Sequence, residues 1–216
     1  MKGRVTLRKM RTKSARATTV DEFCKILLRT GSLEFGTFKL ASGILSPYYV
    51  DLRFIPSNPE AFQSTVAMYA SVLSPTLVKR FQRLAGVPTA GIAYAAAVAL
   101  QLGKPQIYVK REHKDHNRQR RIEGFLQPGD RVAVLDDVAT SGKSILEAID
   151  AIRAEGGIVE EAVVLLDREQ GAERNLKKHG VRLHSFTTMR NVTQKLLSMG
   201  TIDEKQRDEI LRQIAR

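Results

Sequence analysis

The stretch Val132-Ala133-Val134-Leu135-Asp136-Asp137-Val138-Ala139-Thr140-Ser141-Gly142-Lys143-Ser144 restricts what this chain can fold into more than any other. Four apolar residues, three of them short or β-branched, read as a buried strand of a parallel sheet. Two carboxylates are expected to stop it. A Thr/Ser/Gly run follows, and Ile145-Leu146-Glu147-Ala148-Ile149 opens a helix. In an open α/β sheet, the carboxyl end of a strand is where ligands bind. The backbone amides of residues 140–144 converge at a helix N-terminus, which favours a phosphate. The carboxylates repel that phosphate and need sugar hydroxyls or a cation instead. A ligand with a phosphate at one end and hydroxyls close by is a sugar phosphate. A nucleotide P-loop is rejected, because that motif requires a glycine where Asp137 stands. An ordinary strand–turn–helix with a solvated acidic turn gives two adjacent acids no packing purpose.

The periodicity places this strand in a longer α/β series. Thr19-x-x-Glu22 is a capping-box pattern ahead of Phe23, Cys24, Ile26, Leu27 and Leu28, so residues 20–30 form an amphipathic helix. Apolar residues alternate at 33, 35, 38 and 40 around Gly36, which predicts a strand with an irregularity at the glycine. Ser46-Pro47-Tyr48-Tyr49-Val50-Asp51-Leu52-Arg53 is a second strand. No helix separates the two, so they pair as a hairpin outside the main sheet. Pro59 starts a helix that Ser74-Pro75 interrupts, and a short basic helix continues to about Arg83. Strands follow at 84–87, 106–110, 158–166 and 181–186. Helices are expected at 92–102, 143–155, 171–179, 188–199 and 203–214. Strand and helix alternate from residue 84 onward, which argues for a parallel sheet. One domain over residues 19–216 is expected, with residues 19–55 as an N-terminal hood and residues 84–190 as the core sheet.

The net charge of +12 is unevenly spread. Lys2, Arg4, Arg8, Lys9, Arg11, Lys13 and Arg16 fall in residues 1–16 with no acid among them. Residues 1–18 read as a solvated, disordered basic tail. No aromatic residue interleaves these cations, which weighs against nucleic-acid binding. The one cysteine, Cys24, lies on an apolar helix face as a core residue and has no disulfide partner. No metal-ligand spacing of Cys and His is present. With no apolar run of membrane-span length and no secretory segment, a cytoplasmic protein is expected.

Four strand ends or loops carry polar groups to one sheet edge: residues 89–91, 110–116, 136–144 and 167–168. Loop 110–121 reads Lys-Arg-Glu-His-Lys-Asp-His-Asn-Arg-Gln-Arg-Arg and contains no apolar residue. Lys110, Arg111, Lys114 and His116 gather three fixed cations and an imidazole within seven residues. A diphosphate leaving group needs such charge, because negative charge builds on it as its C–O bond breaks. A loop that closes supplies the charge and excludes water.

The run from Val132 to Ser144 resembles the phosphoribosyl diphosphate (PRPP) motif of type I phosphoribosyltransferases. Phe35-Gly36-x-Phe38-x-Leu40-x-Ser42-Gly43-x-x-Ser46-Pro47-Tyr48-Tyr49 resembles the N-terminal signature of the orotate phosphoribosyltransferase family. Lys110-Arg111-Glu112-x-Lys114-Asp115-His116 resembles that family's catalytic loop. Ile122-Glu123-Gly124 and Leu166-Asp167-Arg168-Glu169 follow in the family's order. The resemblance implies a type I phosphoribosyltransferase fold: a parallel α/β sheet under a small hood of helix and antiparallel strands. It implies conversion of orotate and PRPP to orotidine 5′-monophosphate and diphosphate with Mg²⁺, the ion being held mainly through PRPP and not by direct protein ligands. It implies a homodimer in which loop 110–121 reaches the neighbouring subunit's site.

The resemblance also assigns residues. Val138, Ala139, Thr140, Ser141, Gly142, Lys143 and Ser144 form the PRPP loop, with residues 140–144 on the 5′-phosphate. Asp136 and Asp137 bind the ribose hydroxyls and steady the cationic ribosyl centre. Lys110, Arg111, Lys114 and His116 contact the diphosphate. Thr140 and Arg168 bind orotate, the guanidinium matching its carboxylate, and Tyr49 and Val50 line the base pocket. Ala41 and Ala90 stand where some members have lysine. Lys110-Arg111 reverses the common order, residues 117–121 are basic where the family is glycine-rich, and Lys143 replaces a small residue. A salvage phosphoribosyltransferase for another base is disfavoured by the hairpin signature and Arg168. A PRPP-binding regulator of nucleic acid is disfavoured because residues 1–18 are too short for a reading domain.

Overall fold

The computed structural model describes residues 19–39, 43, 45–110 and 121–214. The expectations for residues 1–18, for Ala41 and for Arg111, Lys114 and His116 lie outside them. Helix α1 (Val20–Arg29) starts where Thr19 Oγ1 accepts the Glu22 N–H at 3.2 Å, and it buries Phe23, Cys24, Ile26 and Leu27. Burial pushes the Cys24 thiol up to about 11, which fits a core residue and not a nucleophile. Strands β1 (Leu33–Lys39) and β2 (Leu45–Val50) pair antiparallel, and their register shifts between Phe35 and Phe38, around Gly36. A 3₁₀ helix over Leu52–Ser57 leads to α2 (Pro59–Val72).

The expected basic helix before the sheet is a single turn, α3 (Pro75–Val78). The reason lies just beyond it, where the Gln82 N–H already bonds the Arg131 carbonyl at 2.8 Å. The chain has joined the sheet before a longer helix can form. The main sheet is built from β3 (Arg83–Gly86), β4 (Gln106–Val109), β5 (Ile122–Glu123), β6 (Arg131–Ala139), β7 (Ile158–Asp167) and β8 (Arg182–Thr188). Interleaved are α4 (Ala90–Leu102), α5 (Lys143–Ala154) and α6 (Ala172–Lys178), and α7 (Met189–Ser198) and α8 (Glu204–Ile214) close the chain.

The spatial order is β5-β4-β3-β6-β7-β8, with all neighbours parallel except β5, a two-residue antiparallel edge that periodicity did not reveal. Both faces are covered, which is why the central strands are continuously apolar. Ala133, Leu135, Val163 and Leu165 pack with α1, α2, α4, α7 and α8 on one face. Val132, Val134, Ala162 and Val164 pack with α5 and α6 on the other. The chain leaves β3 for β4 on one side, then returns to β6 on β3's other side. That reversal opens a crevice between the carboxyl ends of β3 and β6.

Candidate active site

The two acids do not end β6, as the sequence suggested. The strand runs on to Ala139, because β7 continues beside it, with Val138 opposite Leu166 and Ala139 opposite Asp167. On the other side β3 stops at Gly86 opposite Leu135, and the last bond there is Val87 N–H to the Leu135 carbonyl at 2.9 Å. Residues 136–139 are therefore strand on one edge and open on the crevice edge. The carboxylates satisfy backbone donors in this segment. Asp136 Oδ1 accepts the Asp137 N–H at 3.0 Å, and Asp137 Oδ1 accepts the Val138 N–H at 2.9 Å. Tyr69 of α2 donates its hydroxyl to the Asp136 carbonyl at 2.5 Å.

Asp136 is 7% exposed and Asp137 is half-buried. Burial raises Asp136 well above the ordinary 3.8, and the charge of Asp137 adds to it. Burial also raises Asp137, with a further push from Asp51. Such a pair favours a shared proton, or a ligand that replaces water with hydroxyl donors or positive charge. Gly91 makes room for it. A Cβ there would stand 2.5 Å from the Leu135 carbonyl and 3.1 Å from Asp136 Oδ1, so only glycine lets α4 press its first turn against the acids.

The helix starts divide into two groups. Thr19, Asn58, Ser74 and Thr188 cap α1, α2, α3 and α7 with their side chains, and Asp203 accepts the Gln206 N–H at 2.7 Å at the start of α8. Helices α4, α5 and α6, which open at the crevice edge, have no side-chain cap. The first-turn amides of α4 and α5 thus keep donors for an anionic ligand. Gly142 precedes α5 at φ +79°, a conformation that other residues adopt at a cost, and its free side faces Ala172. The loop is buttressed from behind: Ala172 N–H bonds the Thr140 carbonyl at 3.0 Å, and Asn175 Nδ2 bonds the Ser141 carbonyl at 2.9 Å. Thr140, Ser141 and Ser144 remain exposed. Lys143 turns along α5 to within 3.9 Å of Glu147 and is largely solvated.

Arg168 follows β7 and is tied to β6 through its N–H, which bonds the Ala139 carbonyl at 2.9 Å. The residue is 6% exposed. Its guanidinium lies 4.7 Å from the centroid of the Tyr48 ring, and Nε donates to the Tyr48 hydroxyl at 3.1 Å. Nη2 is buried without a hydrogen-bond partner among the described residues. A buried guanidinium edge left unspent is costly unless an acceptor arrives. Beside it, burial raises the Asp167 carboxyl, which accepts the Glu169 N–H at 2.8 Å.

Lys110 follows β4 and shares with Ser144, Val87, Pro88 and Arg121 the lining of a cavity of about 410 Å³ on the same sheet edge. Its ammonium lies 2.8 Å from Glu123 Oε1. The structure thus brings Asp136 through Ser144, Arg168 and Lys110 to one edge. Tyr49 sits on the outer face of β2 with its ring 5.6 Å from that of Phe38, while Val50 is half-buried against the main core. The aromatic residue that meets Arg168 is Tyr48, one position earlier and fully buried. Strand alternation from the buried Ser46 could have singled it out, since 46, 48 and 50 share a face. The Asp51–Arg53 pair also escaped notice. Arg53 donates to Asp51 through its backbone N–H at 3.0 Å and Nε at 2.7 Å, which holds the Asp51 carboxyl below its usual range.

The fold and the loop after the acids are those of a phosphoribosyl transferase domain, and residues 76–190 match that family. An orotate phosphoribosyltransferase of Cenarchaeum symbiosum (strain A) is 38% identical over 196 residues, covering 90% of this chain and 96% of that protein. The crystal structure of orotate phosphoribosyltransferase from Aeropyrum pernix is similar with a TM-score of 0.76 at 36% identity, over 84% of this chain and 99% of that one. The structure of Leishmania donovani UMP synthase gives a TM-score of 0.81 at 32% identity over 90% of this chain, which spans only 42% of that longer protein. The chain belongs to the orotate phosphoribosyltransferase family.

Proposed function

We propose that this protein transfers the 5-phosphoribosyl group of PRPP to orotate, giving orotidine 5′-monophosphate and diphosphate for pyrimidine biosynthesis. The observation that carries the reading is the acid pair at the open edge of β6, Asp136 buried and Asp137 half-buried, followed by an uncapped helix start. Residues 140–144 hold the 5′-phosphate on their amides and hydroxyls. Asp136 and Asp137 accept the ribose hydroxyls and lie against the ribosyl centre as it becomes cationic. Arg168 takes the orotate carboxylate on its unspent edge, with Thr140, Tyr49 and Val50 around the base. Lys110, Arg111, Lys114 and His116 receive the diphosphate. Most of the rate gain comes from positioning and charge complementarity, since the protein forms no bond to the substrate.

Magnesium belongs to this reading. Among the described residues no three carboxylate, imidazole or thiol groups cluster to hold a metal ion. In this reading the diphosphate carries the ion, near carboxylates whose mutual repulsion a cation relieves. When bound, the ion neutralises charge on the leaving group. A homodimer sharing loop 110–121 is part of the proposal, and the exposed Leu45 and Phe54 of the hood suit a subunit contact. A cytoplasmic location accords with a lone buried thiol. Among the described residues no helix is long and apolar enough to cross a membrane.

The test is a steady-state assay with orotate, PRPP and Mg²⁺ that follows loss of orotate absorbance. Orotate is consumed, and uracil and purines are not. Preferential consumption of another base restores the salvage reading, and PRPP binding without turnover of any base restores the regulator.

A further inference from the structure

Arg168 is held from a distant part of the chain, and the supports can be followed outward from its guanidinium. Tyr48 supplies both a face, 4.7 Å from the guanidinium carbon, and an acceptor, 3.1 Å from Nε. These contacts fix the plane of the fork and leave Nη2 on the unspent side. Tyr48 in turn sits in a strand that is clamped. Ser46 Oγ lies 2.6 Å from the Tyr48 carbonyl and 2.9 Å from Gln213 Oε1, and Gln213 Nε2 donates to the Leu45 carbonyl at 3.2 Å. Gln213 belongs to α8, is 8% exposed and flanks Ile210 and Ile214 in the core. A polar side chain buried to this extent at the end of the last helix has both its amide oxygen and its amide nitrogen engaged on β2. The hood strand is thereby locked to the C-terminal helix at the level of Tyr48.

We propose that Tyr48 and Gln213 are positioning residues for base recognition: Tyr48 orients the Arg168 guanidinium toward the anionic group of the base, and Gln213 fixes the strand that carries Tyr48. The proposal rests on the reading that Arg168 meets the orotate carboxylate. It predicts that a hydroxyl outside the acid-pair and phosphate machinery sets affinity for one substrate and leaves the other alone. A hydrogen bond to a charged group lost on removal of that hydroxyl corresponds to roughly a tenfold effect.

The experiment is steady-state kinetics on Tyr48→Phe, Gln213→Leu, Arg168→Met and the Tyr48→Phe/Arg168→Met double variant of the full chain. Tyr48→Phe lowers kcat/KM for orotate about tenfold, through KM, while the KM for PRPP stays unchanged. Gln213→Leu moves the same parameter in the same direction by less. In the Arg168→Met background, adding Tyr48→Phe changes nothing further, because the group it positions is gone. Equal losses from Tyr48→Phe in both backgrounds, or a matching rise in the PRPP KM, overturn the proposal and make Tyr48 a general packing residue. Wild-type protein that does not turn over orotate overturns the reading beneath it, a result that the variants cannot mimic.

Discussion

Asp137→Asn separates what the acid pair costs the fold from what it does for the reaction. Asp136 is buried and Asp137 half-buried, and burial is the leading cause of both raised pKa values. Two unit charges held about 4–6 Å apart repel by roughly 3–4 kcal/mol at an effective dielectric of about 20. Proton sharing relieves part of that, leaving about 1–2 kcal/mol at neutral pH for the amide to recover. The amide oxygen can still accept the Val138 N–H, so no backbone donor is orphaned. For a chain of 216 residues, that gain corresponds to a rise in Tm of roughly 2–8 °C. The sign depends on pH. A carboxyl whose folded pKa lies above its unfolded value stabilises the fold below the ordinary 3.8, and this contribution is lost as pH rises through the folded value. The gap between variant and wild type therefore opens as pH rises from acid toward neutral and closes in acid. Turnover moves the other way, falling about 10²–10³-fold, because the charge proposed to meet the ribosyl cation is gone. Thermal melts of the ligand-free protein across that pH range, paired with the orotate assay, read both quantities. A variant that melts lower than wild type at neutral pH, with activity lost in proportion to folded protein, refutes the reasoning and makes Asp137 a structural residue.

Arg168→Ala is expected to raise the orotate KM about a hundredfold with little change for PRPP; steady-state kinetics in both substrates decide it, and the reverse pattern assigns the guanidinium to PRPP. Gly91→Ala is expected to destabilise the protein by about 2–4 kcal/mol, because its methyl would enter backbone at 2.5 Å, and denaturant melts measure the loss.

Most of the architecture was legible because it is local. Alternation of strand and helix from residue 84 is written in short apolar runs and glycine stops, and the acid pair followed by Thr, Ser and Gly occupies one continuous segment. What escaped depends on residues far apart in the chain. The extension of β6 past its acids follows from a longer β7 and a shorter β3, and neither length is visible from β6 itself. The antiparallel β5 is two residues long, too short for any periodicity. Tyr48 and Tyr49 are adjacent aromatics with the same composition signal, and the choice between them is made by Arg168, 120 residues away in sequence. The missing side-chain caps of α4, α5 and α6 could be suspected from sequence, yet they become informative only once the topology brings the first two to one crevice.

The hood that presses Tyr48 onto Arg168 gives the proposed site two differently built halves within one molecule. Everything assigned to the ribose and its 5′-phosphate is encoded in a single uninterrupted segment, residues 136–144, so one local stretch of backbone places all of it. The side proposed to face the base takes Thr140 from that segment and otherwise draws on β2 and the end of β7, with the last helix bracing β2 from behind. Changing the proposed base preference then means altering residues spread over the hood and its C-terminal brace, while substitutions confined there leave residues 136–144 in place.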